Sequence, residues 1–364
     1  MMSDLRQVGA AGHWSLLRGP KKWQAPPLAI HTLRRRLYGT IRPLRQLSAW
    51  VSAVKALSDA IFGLGCELRS RHYHFTAVTP ATHTRLLNRQ RPDTSLESIF
   101  GWNCWFRRGA LDEGMFELLD KAGQLEVADG RFKSRLRFAN IGDLLFAHSA
   151  FPTLQQDAVF FGPDTYRFVR AIGGALTDLP CDGKPTLFDI GCGSGAGGIF
   201  AARNLLPRDA RIVLSDVSEK ALMFSEANAR LNDLPHAHIV MSDVLQGLDG
   251  TPDIVISNPP YLVDEKRRLY RDGGGDWGTA LAVRIVEQSL ERLASGGRLV
   301  VYTGSPVVSG EDRFKADVMP ALRSHCCRSQ YEEMDPDIFG EELDRPAYAG
   351  ADRIAAVVLT VVKE

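Results

Sequence analysis

Long apolar runs are missing from this 364-residue chain; the most apolar stretch, residues 354–362, has the length of a strand and is too short to cross a bilayer. Cysteine is scarce. Cys66, Cys104, Cys181, Cys192, Cys326 and Cys327 show no C-x-x-C spacing and no neighbouring histidine pair, which argues against a zinc site, and no metal is expected. The first thirty residues lack the continuous apolar core of a secretory signal, so a reducing cytoplasm is the expected location, without a membrane partner. An arginine-rich, acid-poor lead would also suit an organellar transit peptide. Acids are rare at the front: residues 1–110 carry 17 Lys and Arg against 5 Asp and Glu, an asymmetry hidden by the overall net charge of +1. Such a lead fits either a contact with RNA or the ribosome, or a solvated tail and a charged helix face. With 45% hydrophobic and 24% charged residues and no internal repeat, the chain reads as globular and long enough for two domains.

The remainder is organised around residues 186–261. A short apolar run, 186–190, leads into Gly191-Cys192-Gly193-Ser194-Gly195 and then a helical pattern over 196–204, which predicts strand, tight turn, helix. Glycines there permit positive φ and close approach of a ligand to the backbone. The next run, 211–215, ends on Asp216, about twenty residues after the turn, where a carboxylate can accept both hydroxyls of a ribose. A third run, 238–241, ends at Ser242-Asp243, and Asp243 could accept an adenine amino proton. The fourth, 253–257, delivers Asn258-Pro259-Pro260-Tyr261. Four strand ends thus converge on one edge of a parallel sheet, where open α/β sheets bind ligands.

This order, Asp189-x-Gly-x-Gly-x-Gly, then Asp216, Asp243 and Asn-Pro-Pro-Tyr, resembles the class I S-adenosylmethionine (SAM) methyltransferases over roughly residues 160–364. The last motif is similar to that of the branch that methylates a planar nitrogen: the glutamine amide of translation release factors, or a nucleobase amine. The resemblance implies a Rossmann-like α/β domain of seven strands with SAM as cofactor. It assigns Asp189, Gly191, Gly193 and Gly195 to the methionine end of SAM, Asp216 to the ribose, Asp243 to the adenine, and Asn258, Pro259 and Tyr261 to the acceptor, with Asn258 also bordering the cofactor. Residues 160–166 are similar to the Pro, Asp-Thr-aromatic segment of eukaryotic and archaeal release-factor glutamine methyltransferases, which lies over SAM, and this marks Phe161 and Thr165 as candidate contacts. The glycine-rich stretch at 273–275 resembles the same family, with a flexible connection between strand and helix as the alternative reading.

The chemistry asks for these residue types. An amide or aryl-amine lone pair is delocalised, and the nitrogen is a poor nucleophile until held. The Asn258 side-chain oxygen and the Pro259 carbonyl can each accept one N–H and leave the lone pair aimed at the sulfonium methyl. Consecutive prolines stiffen that carbonyl, and Tyr261 is expected to stack on the planar group. The preferred acceptor is a glutamine side chain of a translation factor. Nucleobase amines in RNA, a small molecule, and a SAM- or RNA-binding module without turnover are the competing readings.

Ahead of this domain the expectation is a flexible basic lead (residues 1–27) and an α+β accessory domain (28–152), with the methyltransferase domain over 153–364. Helices are predicted over 33–47 and 47–64, with Gly63 and Gly65 as a break, and over 82–88, 95–102 and 112–122. Strands over 125–128, 131–138 and 143–150, the first two joined by an Asp129-Gly130 turn, are expected to form one small sheet. The alternatives are a winged-helix-like module and a helical cap with a β-flap. Residues 354–362 are read as a buried antiparallel closing strand, and the acids of 332–344 as a solvated loop, with a basic partner as the second reading.

Overall fold

The computed structural model describes residues 44–89, 94–177 and 183–364. The basic lead and the start of the first expected helix lie outside the described residues. The first described element is one continuous helix, α1 (Leu44–Ser70), where a break at Gly63 and Gly65 was expected. Both glycines are helical because the helix packs there. A Cβ on Gly63 would lie 3.3 Å from Leu118, and one on Gly65 would lie 2.6 Å from Leu231, so each glycine admits a neighbouring helix at the usual cost of about 1 kcal/mol in propensity.

Helix α2 (Pro80–Leu87), a π-helical turn at Glu97–Gly101 and α3 (Glu113–Lys121) follow. Strands β1 (Leu125–Ala128) and β2 (Arg131–Ser134) form the expected hairpin, with Asp129 and Gly130 both at positive φ. The strand expected over 131–138 is two strands. The Ser134 hydroxyl donates to the Leu136 carbonyl and accepts from the Leu136 N–H, and the chain turns into β3 (Leu136–Ile141), which pairs with β4 (Leu144–Ser149) as a separate sheet. Every residue of β3 and β4 is buried, so this hairpin cannot serve as an exposed wing; β1–β2 is the exposed one.

Past α4 (Pro163–Leu176) the chain builds the large sheet from β5 (Thr186–Ile190), β6 (Arg211–Asp216), β7 (His238–Met241), β8 (Ile254–Ser257), β9 (Arg298–Val308), β11 (Cys327–Asp335) and β12 (Arg353–Lys363). Their spatial order is β7-β6-β5-β8-β9-β12-β11, and the two-residue β10 (Glu311–Asp312) hooks onto β9. The first five are parallel, and β12 runs antiparallel between β9 and β11. This is the expected Rossmann-like methyltransferase sheet, closed by the expected antiparallel strand. Alternation along the strands feeds two cores: Leu187, Ile212, Leu214, Ile254 and Ile256 face one side, and Phe188, Ile190, Val213 and Val255 the other. Helices α4, α5 (Ala196–Asn204) and α6 (Glu219–Leu231) cover the first face; α7 (Ala280–Arg292) and α8 (Arg313–Ser324) cover the second.

The amino-terminal elements pack on α6 through two asparagines. Asn228 accepts from the Ala147 N–H (2.7 Å) and donates to the Ala147 carbonyl (3.0 Å); Asn232, just past the helix, does the same to Leu145 (3.1 and 2.9 Å). Spaced four residues apart, the two amides satisfy the free edge of β4 as a strand would. No described helix is long and apolar enough to cross a membrane.

The acidic segment 332–344 is a solvated loop only in part: Glu332, Asp337, Glu341 and Asp344 are exposed, as expected. Residues 332–335 belong to β11, Glu333 pairs with Arg353, Asp335 with Arg167, and buried Glu342 with Arg271 and Arg345. The partners of these three acids are arginines of the domain itself.

Candidate active site at the carboxyl edge of the sheet

A cavity of about 700 Å³ opens along the carboxyl ends of β5, β6, β7 and β8, within the usual size range for a small-molecule site. One wall is the glycine turn. Gly191, Gly193 and Gly195 all have positive φ (67°, 56° and 78°), the conformation that favours glycine. The turn is laced to the end of β6: the Cys192 N–H donates to the Ser215 carbonyl, and the Gly193 N–H to the Asp216 carboxylate (3.0 Å). Gly191 and Gly193 line the cavity. Gly195 does not; it caps α5 and packs toward Ile199 and Leu214, so its part is conformational.

Three expected carboxylates also line the cavity. Asp189 is buried in β5 and accepts the Gly198 N–H (2.8 Å); burial, with Asp216 as a like-charged neighbour, pushes its carboxyl up to about 7. At Asp216 one oxygen accepts the Gly193 N–H and the other the Ser218 N–H (2.8 Å), which fixes the carboxylate while each oxygen keeps a second lone pair. Burial raises this carboxyl as well. Asp243 is engaged with Arg284 of α7 through both oxygens, so an adenine amine would share that carboxylate with a guanidinium.

Asn258 follows β8, whose last residue, Ser257, donates its hydroxyl to the Ile190 carbonyl (2.7 Å) and so ties the motif to the glycine-turn strand. Among the described residues the Asn258 side chain makes no hydrogen bond and none ends on the Pro259 carbonyl, and both residues line the cavity. Tyr261 is buried but reaches the cavity wall. Its ring lies over Gly304, where a Cβ would stand 2.4 Å away, and meets Phe339 edge-on at 5.9 Å. The glycine-rich stretch supports this motif by close backbone packing: a Cβ on Gly273 would fall 2.7 Å from the Pro260 carbonyl, and one on Gly278 would fall 2.4 Å from the Tyr261 carbonyl.

Thr165 lines the cavity in the first turn of α4, its hydroxyl accepting the Gly162 N–H. Phe161 does not line it. That ring is buried beside His148 (5.0 Å, stacked) in the amino-terminal core, whereas Phe160, one residue earlier, faces the cavity and stacks on Tyr270. Adjacent residues in an extended segment point opposite ways, so a one-residue error reverses the assignment.

Several lining residues escaped the sequence reading: Leu154, Asp164, Arg268, Tyr270 and Phe339. Leu154 stands on one and Arg268 and Tyr270 on the other of two facing segments stitched together, while Asp164 comes from α4 and Phe339 from the chain after β11. The Tyr270 hydroxyl donates to the Thr153 carbonyl, the Gln156 side chain to the Arg267 carbonyl, and the Leu269 N–H to the Gln156 carbonyl (3.1 Å). Underneath, Arg268 grips Asp264 with two nitrogens and holds its carboxyl down at about 2. Only the density of charge around 264–272 hinted at this arrangement.

The donor set fits SAM. Asp189, buried in the cavity wall, matches a ligand that carries positive charge, and the fixed lone pairs at Asp216 match a ribose.

The Methyltransferase small domain family matches residues 175–308. Among curated proteins, the release factor glutamine methyltransferase of Rhodopirellula baltica is 33% identical over 165 residues, covering 41% of this chain and 53% of that one. The Chlamydia trachomatis serovar D protein of the same description is 39% identical over 180 residues (46% and 60%), and that of Moorella thermoacetica 31% identical over 236 residues (59% and 80%). The chain spans about half the length of several of the curated relatives it matches. The domain is a class I methyltransferase whose cofactor is SAM, and by its match across four-fifths of the Moorella protein the chain belongs to the release factor glutamine methyltransferase family.

Proposed function

We propose that this protein transfers a methyl group from SAM to the side-chain amide nitrogen of a glutamine in a translation release factor. The observation that carries this reading is the pair of unengaged acceptors, the Asn258 side-chain oxygen and the Pro259 carbonyl, in the same cavity as the acids at the ends of β5 and β6. An NH₂ group on a planar carbon presents two donors, and two fixed acceptors hold both while leaving the lone pair free.

SAM held by Asp189 and Asp216 would supply an electrophilic methyl on a cationic sulfur, with the bonding pair of the broken S–C bond left on a neutral thioether. Asn258 and Pro259 orient the nitrogen, and one of its N–H protons passes to water at the cavity mouth. Tyr261 and Phe339 supply an aromatic wall for the flat amide, and Asp216 anchors the ribose. The names of the family relatives support glutamine as the acceptor.

Labelled SAM incubated with a glutamine-bearing release factor, and separately with unmodified RNA, tests the reading. Label is expected in the protein. Asn258→Ala is expected to lower turnover roughly a hundred- to a thousandfold with little change in SAM affinity, the scale of one lost preorganised contact to the reacting centre. Asn258→Asp keeps an acceptor oxygen and should retain more activity. Label confined to RNA, or full activity in Asn258→Ala, would refute the proposal.

A further inference from the structure

Asp164 has no part in the chemistry described so far, yet it is buried, carries a charge and lines the cavity. It sits in the first turn of α4, where the helix dipole favours an anion. One of its oxygens accepts the Tyr302 hydroxyl (2.7 Å) and an Arg167 N–H (3.2 Å). Tyr302 and Gly304 are alternate residues of β9 on one face, and the Tyr261 ring rests on Gly304, so the phenol held by the acid stands beside the ring of the acceptor motif. Arg167 continues the chain of contacts to Asp335 (2.7 Å) at the end of β11. Four residues on stands Phe339, at a left-handed φ of 54° unusual for a phenylalanine, with its ring on the other side of Tyr261.

We propose that Asp164 is a positioning residue for the methyl acceptor: by holding the hydroxyl of Tyr302, which stands beside Gly304 under the Tyr261 ring, it fixes the aromatic wall, Tyr261 with Phe339, against which the planar amide is pressed. The proposal rests on the acceptor reading given above, because a wall of this kind matters only if a flat group is held between it and Asn258. A carboxylate suits the position because it accepts from a phenol and a guanidinium at once, whereas a neutral hydroxyl would also have to place a proton of its own. The charge is matched by Arg167.

The test combines kinetics with a probe of the ring. Asp164→Ala is expected to lower kcat/KM for the release factor about tenfold to a hundredfold, with the SAM dissociation constant within about twofold of wild type. Asp164→Asn keeps an oxygen for the Tyr302 phenol and is expected to recover activity to within about threefold. In a Tyr302→Phe background, Asp164→Ala should cost less than about threefold further, since both changes remove the same contact. Equal loss in the alanine and asparagine variants, or SAM affinity falling as much as turnover, would place the Asp164 charge on the cofactor and overturn the proposal.

The ring is read without any acceptor by fluorine NMR of the full chain labelled with 3-fluorotyrosine, the Tyr261 resonance being assigned from Tyr261→Phe. It should move in Asp164→Ala and return close to the wild-type position in Asp164→Asn; a resonance unmoved in Asp164→Ala would overturn the proposal. A wild-type protein that failed to methylate glutamine would refute the proposed function while leaving this result standing.

Discussion

SAM affinity should depend on pH through Asp189, and the structure sets the size of the effect. The carboxyl is 1% exposed, accepts one backbone N–H and lies near Asp216, which together leave it titrating at about 7. A cationic ligand reverses that balance because it favours the carboxylate, so binding expels a proton. For a group with a pKa of about 7 in the free protein and well below that in the complex, the apparent dissociation constant scales as one plus the ratio of protonated to ionised Asp189. The ratio is about ten at pH 6 and about one-tenth at pH 8, so affinity should rise about tenfold between them, or about 1.4 kcal/mol.

Calorimetric titration at both pH values, in two buffers of different protonation enthalpy, measures the affinity and the released proton. Asp189→Asn should bind with a flatter profile and release about one proton fewer at pH 6, and subtracting its curve removes the titration of the ligand itself. The stability of the ligand-free protein should run the opposite way. This acid is raised in the folded state, so between about pH 4 and pH 7 the folded chain holds a proton that the unfolded chain has lost, and stability from this group falls as pH rises through that window. Identical pH profiles for wild type and Asp189→Asn would refute both the raised pKa and the placement of the ligand's charge beside this residue.

Two further predictions concern support of the site. Gly273→Ala should lower turnover about a hundredfold with SAM affinity nearly unchanged, because its Cβ would stand 1.9 Å from the Gly278 carbonyl and 2.7 Å from the Pro260 carbonyl and must displace the acceptor motif; wild-type kinetics would refute the close packing. Asn228→Ala should destabilise the fold by about 2–4 kcal/mol in denaturant unfolding, since it strips partners from the Ala147 N–H and carbonyl and the Ser194 carbonyl; a loss below about 0.5 kcal/mol would mean that the ladder on β4 contributes little.

The cavity wall at the strand ends was legible in the sequence because local rules dictate it. Apolar runs of strand length, glycines at positive φ and an acid at the tip of β6 are all short-range features, and the structure brings Asp189, Gly191, Gly193, Asp216 and Asp243 onto one cavity. The acceptor wall was not legible. Tyr261 is flanked by Gly304 and Phe339 and faces Asp164, residues far apart in the chain that meet only through the sheet order β5-β8-β9-β12. Gly63 and Gly65 misled for a related reason: a glycine in a helix reads as a break until the helix pressing on it is known. Asp335 and Glu342 looked solvated because their arginine partners, Arg167 and Arg271, lie on other elements.

The same long-range contacts imply that the amino-terminal elements take part in the site. Asn228 donates both to the Ala147 carbonyl of β4 and to the Ser194 carbonyl of the glycine turn (2.9 Å), so a shift of the β3–β4 hairpin is transmitted to the backbone that faces the cofactor. The segment leaving β4 supplies Leu154 and, through Thr153 and Gln156, is bonded to the loop that supplies Leu269. Of the four large apolar side chains exposed among the described residues, three (Leu154, Val217 and Leu269) line this cavity. Apolar surface gathered at one mouth gains free energy when covered, at roughly 25 cal/mol per Å². A peptide laid over that mouth would therefore draw on that burial while Asn258 and Pro259 take the amide hydrogens. Binding energy from the lip would then serve to hold the amide nitrogen at the methyl group, which is how contacts remote from the reacting atoms raise turnover.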